Sequence, residues 1–157
     1  MDIGGTLLQG EALHRAGDLV GAEAVYRAVL SSDPTISAAW ACLGAVCQAT
    51  GRLDEAVSCC REALRYRPDH AAVWNLLGIT LGERGRPDDA ETCFRRALQL
   101  RPDSANFAND LGKALVLQSR HEEGADWFRR AIAIDPRQFP AQIELVLPVA
   151  RNVGHTT

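Results

Sequence analysis

The sequence predicts an all-α fold, an α-solenoid of helix-turn-helix repeats with about four units and a C-terminal capping helix. Three observations predict it. A short pattern recurs, as Trp40-Ala41-Cys42-Leu43-Gly44, then Trp74-Asn75-Leu76-Leu77-Gly78, then Ala108-Asn109-Asp110-Leu111-Gly112, with successive leucines 34 residues apart. Inside each period, apolar residues fall at i, i+3, i+4 and i+7, which is one face of a helix. Gly and Pro punctuate the periods at matching places, as residues that end helices do.

The units begin at Ile3, Ser37, Ala71 and Ala105 and run over 3–36, 37–70, 71–104 and 105–138. In the second unit Trp40, Leu43, Gly44 and Cys47 mark one face of a first helix, which Gly51 ends. Ala56, Cys60, Ala63 and Leu64 mark a second helix, which Pro68 stops. The third unit repeats this with Trp74, Leu77, Gly78 and Leu81, then Gly85, then Ala90, Phe94, Ala97 and Leu98, then Pro102. Pro87 stands at the start of its second helix, where a missing N–H costs nothing. Asp69 and Asp103 follow the prolines and are expected to cap the next helices. The fourth unit has Ala108, Leu111, Gly112 and Leu115, then Gly124, Phe128, Ala131 and Pro136, with Ser119 where the other units have Gly17, Gly51 and Gly85. The first is most degenerate, with Thr6, Gln9, Gly10 and Leu13, then Ala22, Tyr26, Val29 and Pro34. A weak end unit is expected, because it has one neighbour to pack on. Residues 139–152 read as the capping helix, with Gln142, Leu145, Val146 and Val149 on its packing face and Pro148 ending or kinking it; 153–157 read as a disordered tail.

The order Trp, Leu-Gly, bulky, Ala, aromatic, Ala, Pro resembles the tetratricopeptide repeat family, almost completely in the third unit and well in the second and fourth. The resemblance covers nearly the whole chain. It implies a single domain over 3–152, with the first helix of each unit lining a concave groove. Small residues at Gly44, Gly78, Gly112, Ala56 and Ala90 should let the two helices of a unit approach closely, while Trp40, Trp74, Phe94 and Phe128 fill the space between units. Two departures matter. Gly124 stands in place of the usual Ala, at about 1 kcal/mol of helix propensity. Cys47 and Cys60 are small where the family is bulky, so the second unit should pack less densely.

Composition excludes several classes. Net charge is −3, Lys113 is the only lysine, and the arginines are interspersed with acids; nucleic-acid binding needs basic residues gathered on one face. No run approaches a membrane span, and the first residues lack a signal-peptide pattern, so a cytoplasmic location is the expectation. Five cysteines, an odd number without a CxxC, suggest neither a disulfide framework nor a zinc site. They read as buried free thiols; a redox role for Cys59-Cys60 would require an exposed thiolate of low pKa. His14, His70, His121 and His155 form no ligand pattern, and neither a nucleophile elbow nor a phosphate loop is present. No catalytic residue, cofactor or metal is expected.

The expected function is therefore a non-catalytic interaction module that holds a peptide or partner helix. The candidate groove residues are Glu11, Arg15, Gln48, Asn75, Ile79, Asn106, Asn109, Lys113, Ile143 and Leu147, over an Ala-rich floor in the second unit. Family arrays that clamp the carboxylate tail of heat-shock chaperones carry Lys, Arg and Asn at set groove positions. Here those positions hold Leu7, Glu11 and Cys42, or Ala41, Ala45 and Leu76, so that clamp is not expected. The alternative is the substrate-recruiting arm of a larger enzyme, such as a repeat-linked glycosyltransferase, because Asn75 and Asn109 resemble part of the Asn ladder of those arms. Partners are expected to be proteins or peptides, not nucleic acid or membrane. A second apolar stripe on the capping segment, Phe139, Ile143, Leu147 and Ala150, suggests docking of an apolar element there, a second copy of this chain included.

Overall fold

A computed structural model describes residues 1–138. Among them lie eight α-helices and no strand: α1 (Ile3–Arg15), α2 (Leu19–Ser32), α3 (Ser37–Ala49), α4 (Leu53–Tyr66), α5 (Ala71–Glu83), α6 (Pro87–Leu100), α7 (Ala105–Leu117) and α8 (His121–Ile134). Each helix packs on the next, so the chain forms a stack of antiparallel pairs. The backbones of the odd helices also approach one another closely, α1 to α3, α3 to α5 and α5 to α7, whereas the even helices stand farther apart and are bridged by long side chains such as Arg27 and Glu55. The odd helices therefore line the inner side of the curve. The capping segment and tail expected from 139 onward, with Ile143 and Leu147, lie outside the described residues.

The turns inside the units have one geometry. Gly17, Gly51 and Gly85 adopt φ of +84°, +77° and +77°, the left-handed region that glycine enters without a steric penalty. Ser119 is forced into the same region at +62°. In each unit the next N–H closes back on the helix, as in Arg52 to Cys47, Arg86 to Leu81 and Arg120 to Leu115, all at 2.9 Å. The turns between units close differently. The indole N–H of Trp40 donates to the Pro34 carbonyl and that of Trp74 to the Pro68 carbonyl, both at 2.8 Å. These tryptophans, half-buried, tie each unit to the end of the one before.

The expected caps need correction. The residue before α5 is His70, with no side-chain cap bond, and the residue before α7 is Ser104, whose hydroxyl accepts from Phe107 N–H. Asp69 instead faces Arg67 at 3.6 Å. Each helix begins one residue later than a capping aspartate would require.

The helix pairs are held at a glycine in each odd helix. A β-carbon on Gly10 would lie 2.6 Å from the ring of Tyr26, one on Gly78 2.7 Å from Phe94, and one on Gly112 2.6 Å from Phe128. Phe94 and Phe128 thus lie on the glycine of their own unit rather than only filling the space between units. The second unit has Cys60 in the ring's place, and a β-carbon on Gly44 would stand 3.3 Å from Cys59 and 3.4 Å from the Cys60 sulfur, so this contact is looser, as expected. Gly124 has a reason to be there: a β-carbon would meet Val116 at 2.7 Å and the Gly112 carbonyl at 2.9 Å. Cys47, Cys59, Cys60 and Cys93 are buried and Cys42 half-buried. Burial pushes the Cys59 and Cys60 thiols up to about 12 and Cys93 to about 11, opposite to what a reactive thiolate needs.

The outer side carries two matching ion clusters. Glu23 of α2 accepts from Arg52 at 2.6 Å and from Arg27, with Glu55 alongside. Two periods later Glu91 accepts from Arg120 at 2.6 Å and Arg95 at 2.8 Å, with Glu123 alongside. At the middle junction Val57, 3% exposed, replaces the glutamate. In the first unit Gln9 is exposed where Leu43, Leu77 and Leu111 are buried.

Two outcomes follow. Gly78→Ala lowers the melting temperature despite alanine's better helix propensity, because overpacking costs about 1–3 kcal/mol, whereas Gly44→Ala leaves it unchanged or raises it; thermal unfolding by circular dichroism separates the two. The arginines hold Glu23 down at about 2 and lower Glu91 and Glu123 as well. A depressed carboxylate stabilises the fold above its unfolded value, about 4.3, and that contribution disappears as pH falls towards the folded value. Stability measured by urea unfolding should drop between about pH 4.5 and 2, and Glu23→Gln should lower it at neutral pH while flattening that acid limb.

Candidate functional site

The inner side holds a cavity of about 900 Å³ that touches all four units. Its floor is a consequence of sequence. The second unit presents Ala38, Ala41 and Ala45 from α3, and α5 adds Ala72, so for much of its length the floor carries no side chain beyond a β-carbon. Val73, Leu76 and Ile79 of α5 and Phe107 of α7 make the apolar wall. Glu11, His14 and Arg15 of α1 stand at one end and Asp110 of α7 at the other. Arg67 and His70 reach in from the turn between α4 and α5.

The expected site residues divide into three sets. Glu11, Arg15, Asn75, Ile79 and Asn106 line the cavity together. Gln48, Asn109 and Lys113 do not line it. The Gln48 amide donates to Glu83 at 2.9 Å, linking the inner ends of α3 and α5. Asn109 is only 4% exposed, too deep to present an amide to the groove. Lys113 faces Asp110 at 3.9 Å. Ile143 and Leu147 fall outside the described residues.

The cavity-facing amides are partly engaged, with Asn75 Oδ1 left without a partner among the described residues. Asn75, 8% exposed, donates from Nδ2 to the Asp110 carboxylate at 2.9 Å. Asn106 accepts from the Gln138 amide at 2.8 Å. Burial, helped by the nearby charges of Arg67 and Arg101, lowers the His70 pKa, so the ring is neutral at pH 7. Burial raises the pKa of Tyr26, whose ring closes the cavity behind Cys42.

The candidate set leaves out Cys42, Leu76, Asp110, Arg67, His70 and Phe107, although the clamp comparison places Cys42 and Leu76 at groove positions. The first three share one place in successive units, one residue after Ala41, Asn75 and Asn109. Adjacent helix positions are about 100° apart, so a wide groove is lined by both. Among the described residues no three His, Cys, Asp or Glu side chains converge to hold a metal ion, and no helix is long and apolar enough to cross a membrane.

Comparison with solved structures finds the same architecture. A MamA crystal structure superposes with a TM-score of 0.78 at 17% identity, over 87% of this chain and 80% of that one. MamA 41-end from Desulfovibrio magneticus RS-1 gives 0.77 at 23% identity, over 87% and 77%. Pseudomonas aeruginosa PilF gives 0.87 at 22% identity, over 96% and 69%. A search of curated proteins finds no match. One tetratricopeptide repeat family model matches residues 35–103, and a second matches residues 5–35 and 76–139, more than half of the chain. The chain belongs to the tetratricopeptide repeat family.

Proposed function

We propose that this chain is a non-catalytic interaction module that holds a peptide or partner helix in its inner groove. The observation that carries this reading is the cavity of about 900 Å³, walled by the first helices of all four units and floored by alanines. An extended, mostly apolar concavity on a rigid stack is the surface such arrays offer a partner. The polar groups around it suit binding rather than catalysis. Asn75 with Asp110, Lys113 with Asp110, and Gln48 with Glu83 are paired across or along the inner helices, contacts that fix the shape of the groove rather than assemble an acid, base and nucleophile.

A bulky side chain on the floor should block it, since Ala41 and Ala45 line the groove and are only half-buried. The full chain and its Ala41→Trp variant are compared as baits in quantitative pull-downs, with equal circular dichroism as the control. Proteins captured by the wild type should fall about tenfold with Ala41→Trp, the effect of losing roughly 1.4 kcal/mol, and should be unaffected by Arg96→Ala on the outer side. An unchanged set of captured proteins would contradict the groove as the binding surface.

A further inference from the structure

Arg67 and Arg101 hold the same place in consecutive units, immediately before Pro68 and Pro102. In the outer turns that place belongs to Asp33 and Asp135. Those carboxylates accept from the N–H of Thr35 at 2.9 Å and of Arg137 at 3.2 Å, and so help build their turns. In the central turns the arginines contribute only their carbonyls, with His70 N–H on the Arg67 carbonyl at 3.2 Å and Ser104 N–H on the Arg101 carbonyl at 3.4 Å. Neither guanidinium makes a bond that its turn requires.

Arg67 stands on the lip of the groove, and Arg101 stands beside it, over a residue of the groove wall. The ion pair of Arg67, with Asp69 at 3.6 Å, joins two exposed side chains and contributes little. Arg101 forms no ion pair among the described residues. Its guanidinium lies over the ring of Phe107, 5.6 Å from the centroid, and Phe107 is part of the groove wall. His70 sits close enough to both for their charges to act on it. The other carboxylates are Asp103, beside Arg101 in sequence, Glu11 at the far end, and Asp110, already held by Asn75 and facing Lys113. Below this lip the floor is Ala41, Ala45 and Ala72.

We propose that the groove takes an acidic peptide segment, with carboxylates meeting Arg67 and Arg101 from consecutive repeats and a bulky apolar side chain seated on the alanine floor. The inference rests on the groove reading above and names the chemistry of its occupant. These arginines sit on the turns, not on the first-helix positions of the chaperone-tail clamp. Guanidinium and carboxylate pair by two parallel hydrogen bonds, and two such pairs at fixed spacing set the register of a peptide that the smooth floor alone would let slide.

The test is selection of a random 16-residue peptide library, displayed on phage, against the full chain, followed by fluorescence polarisation of the most enriched peptide. The enriched sequences should carry Asp or Glu together with Leu, Phe or Trp. Arg67→Glu with Arg101→Glu, both at exposed positions and checked for an unchanged circular dichroism melt because Arg101 lies over Phe107, should weaken binding about tenfold or more, and raising salt should weaken the wild type but not the double variant. Enriched peptides that are basic or uncharged, or that ignore the double reversal while Ala41→Trp still abolishes binding, would overturn the acidic occupant and leave the groove reading standing. Peptides indifferent to Ala41→Trp as well, or no enrichment at all, would overturn both.

Discussion

A β-carbon at Gly78 would press into the ring of Phe94, 2.7 Å from its nearest carbon. The same exclusion holds between Gly10 and Tyr26 and between Gly112 and Phe128. In the first, third and fourth units, two helices are therefore closed on an aromatic ring that a single hydrogen in place of a methyl admits, while the second closes on Cys59 and Cys60. The rest of the architecture depends on this spacing. It brings the odd helices near enough to touch along the inner side, which gives the stack its curvature and the groove its floor. In the fourth unit the approach is closer still, backbone to backbone between Gly112 and Gly124, and the lower helix propensity of a second glycine is the cost of that contact.

The groove follows from what the inner helices are not asked to do. Core contacts use the faces with Leu43, Leu77 and Leu111, all buried, and leave the adjacent inner positions free. In α3 these are alanines; in α5 they are Asn75, Leu76 and Ile79; in α7 they are Asn106 and Asp110. Cross-links between neighbouring inner helices, Gln48 to Glu83 and Asn75 to Asp110, both at 2.9 Å, then hold the concavity at one curvature. On the outer side the two ion clusters tie the first unit to the second and the third to the fourth, while a buried Val57 serves at the middle junction.

Much of this was legible in the sequence. The spacing of leucines and glycines located the four helix pairs, and Gly17, Gly51 and Gly85 marked their inner turns, because only a left-handed residue reverses the chain there. Ser119 shows the limit of that rule: the turn geometry is imposed by the stack, and serine tolerates it. The caps were misread because Asp69 and Asp103 are one residue too early, a shift that composition does not reveal. Five of the candidate groove residues converge, but Asn109 is turned into the core, 4% exposed, and Lys113 stands off the cavity beside Asp110. Depth within a helix face depends on crossing angle, which periodicity leaves open by about one residue. The arginines of the central turns were missed since turns look irregular in one sequence; their contrast with Asp33 and Asp135 emerges only when the turns are aligned in space.

The most direct test of the central claim is a double-mutant cycle on Gly78 and Phe94, read as unfolding free energy in urea. If the ring occupies the space a β-carbon would need, Phe94→Leu should relieve much of the penalty of Gly78→Ala, and the two changes should be coupled by about 1 kcal/mol or more. Additive effects, with Gly78→Ala no less damaging when the ring is gone, would contradict the account of how these helices are held together.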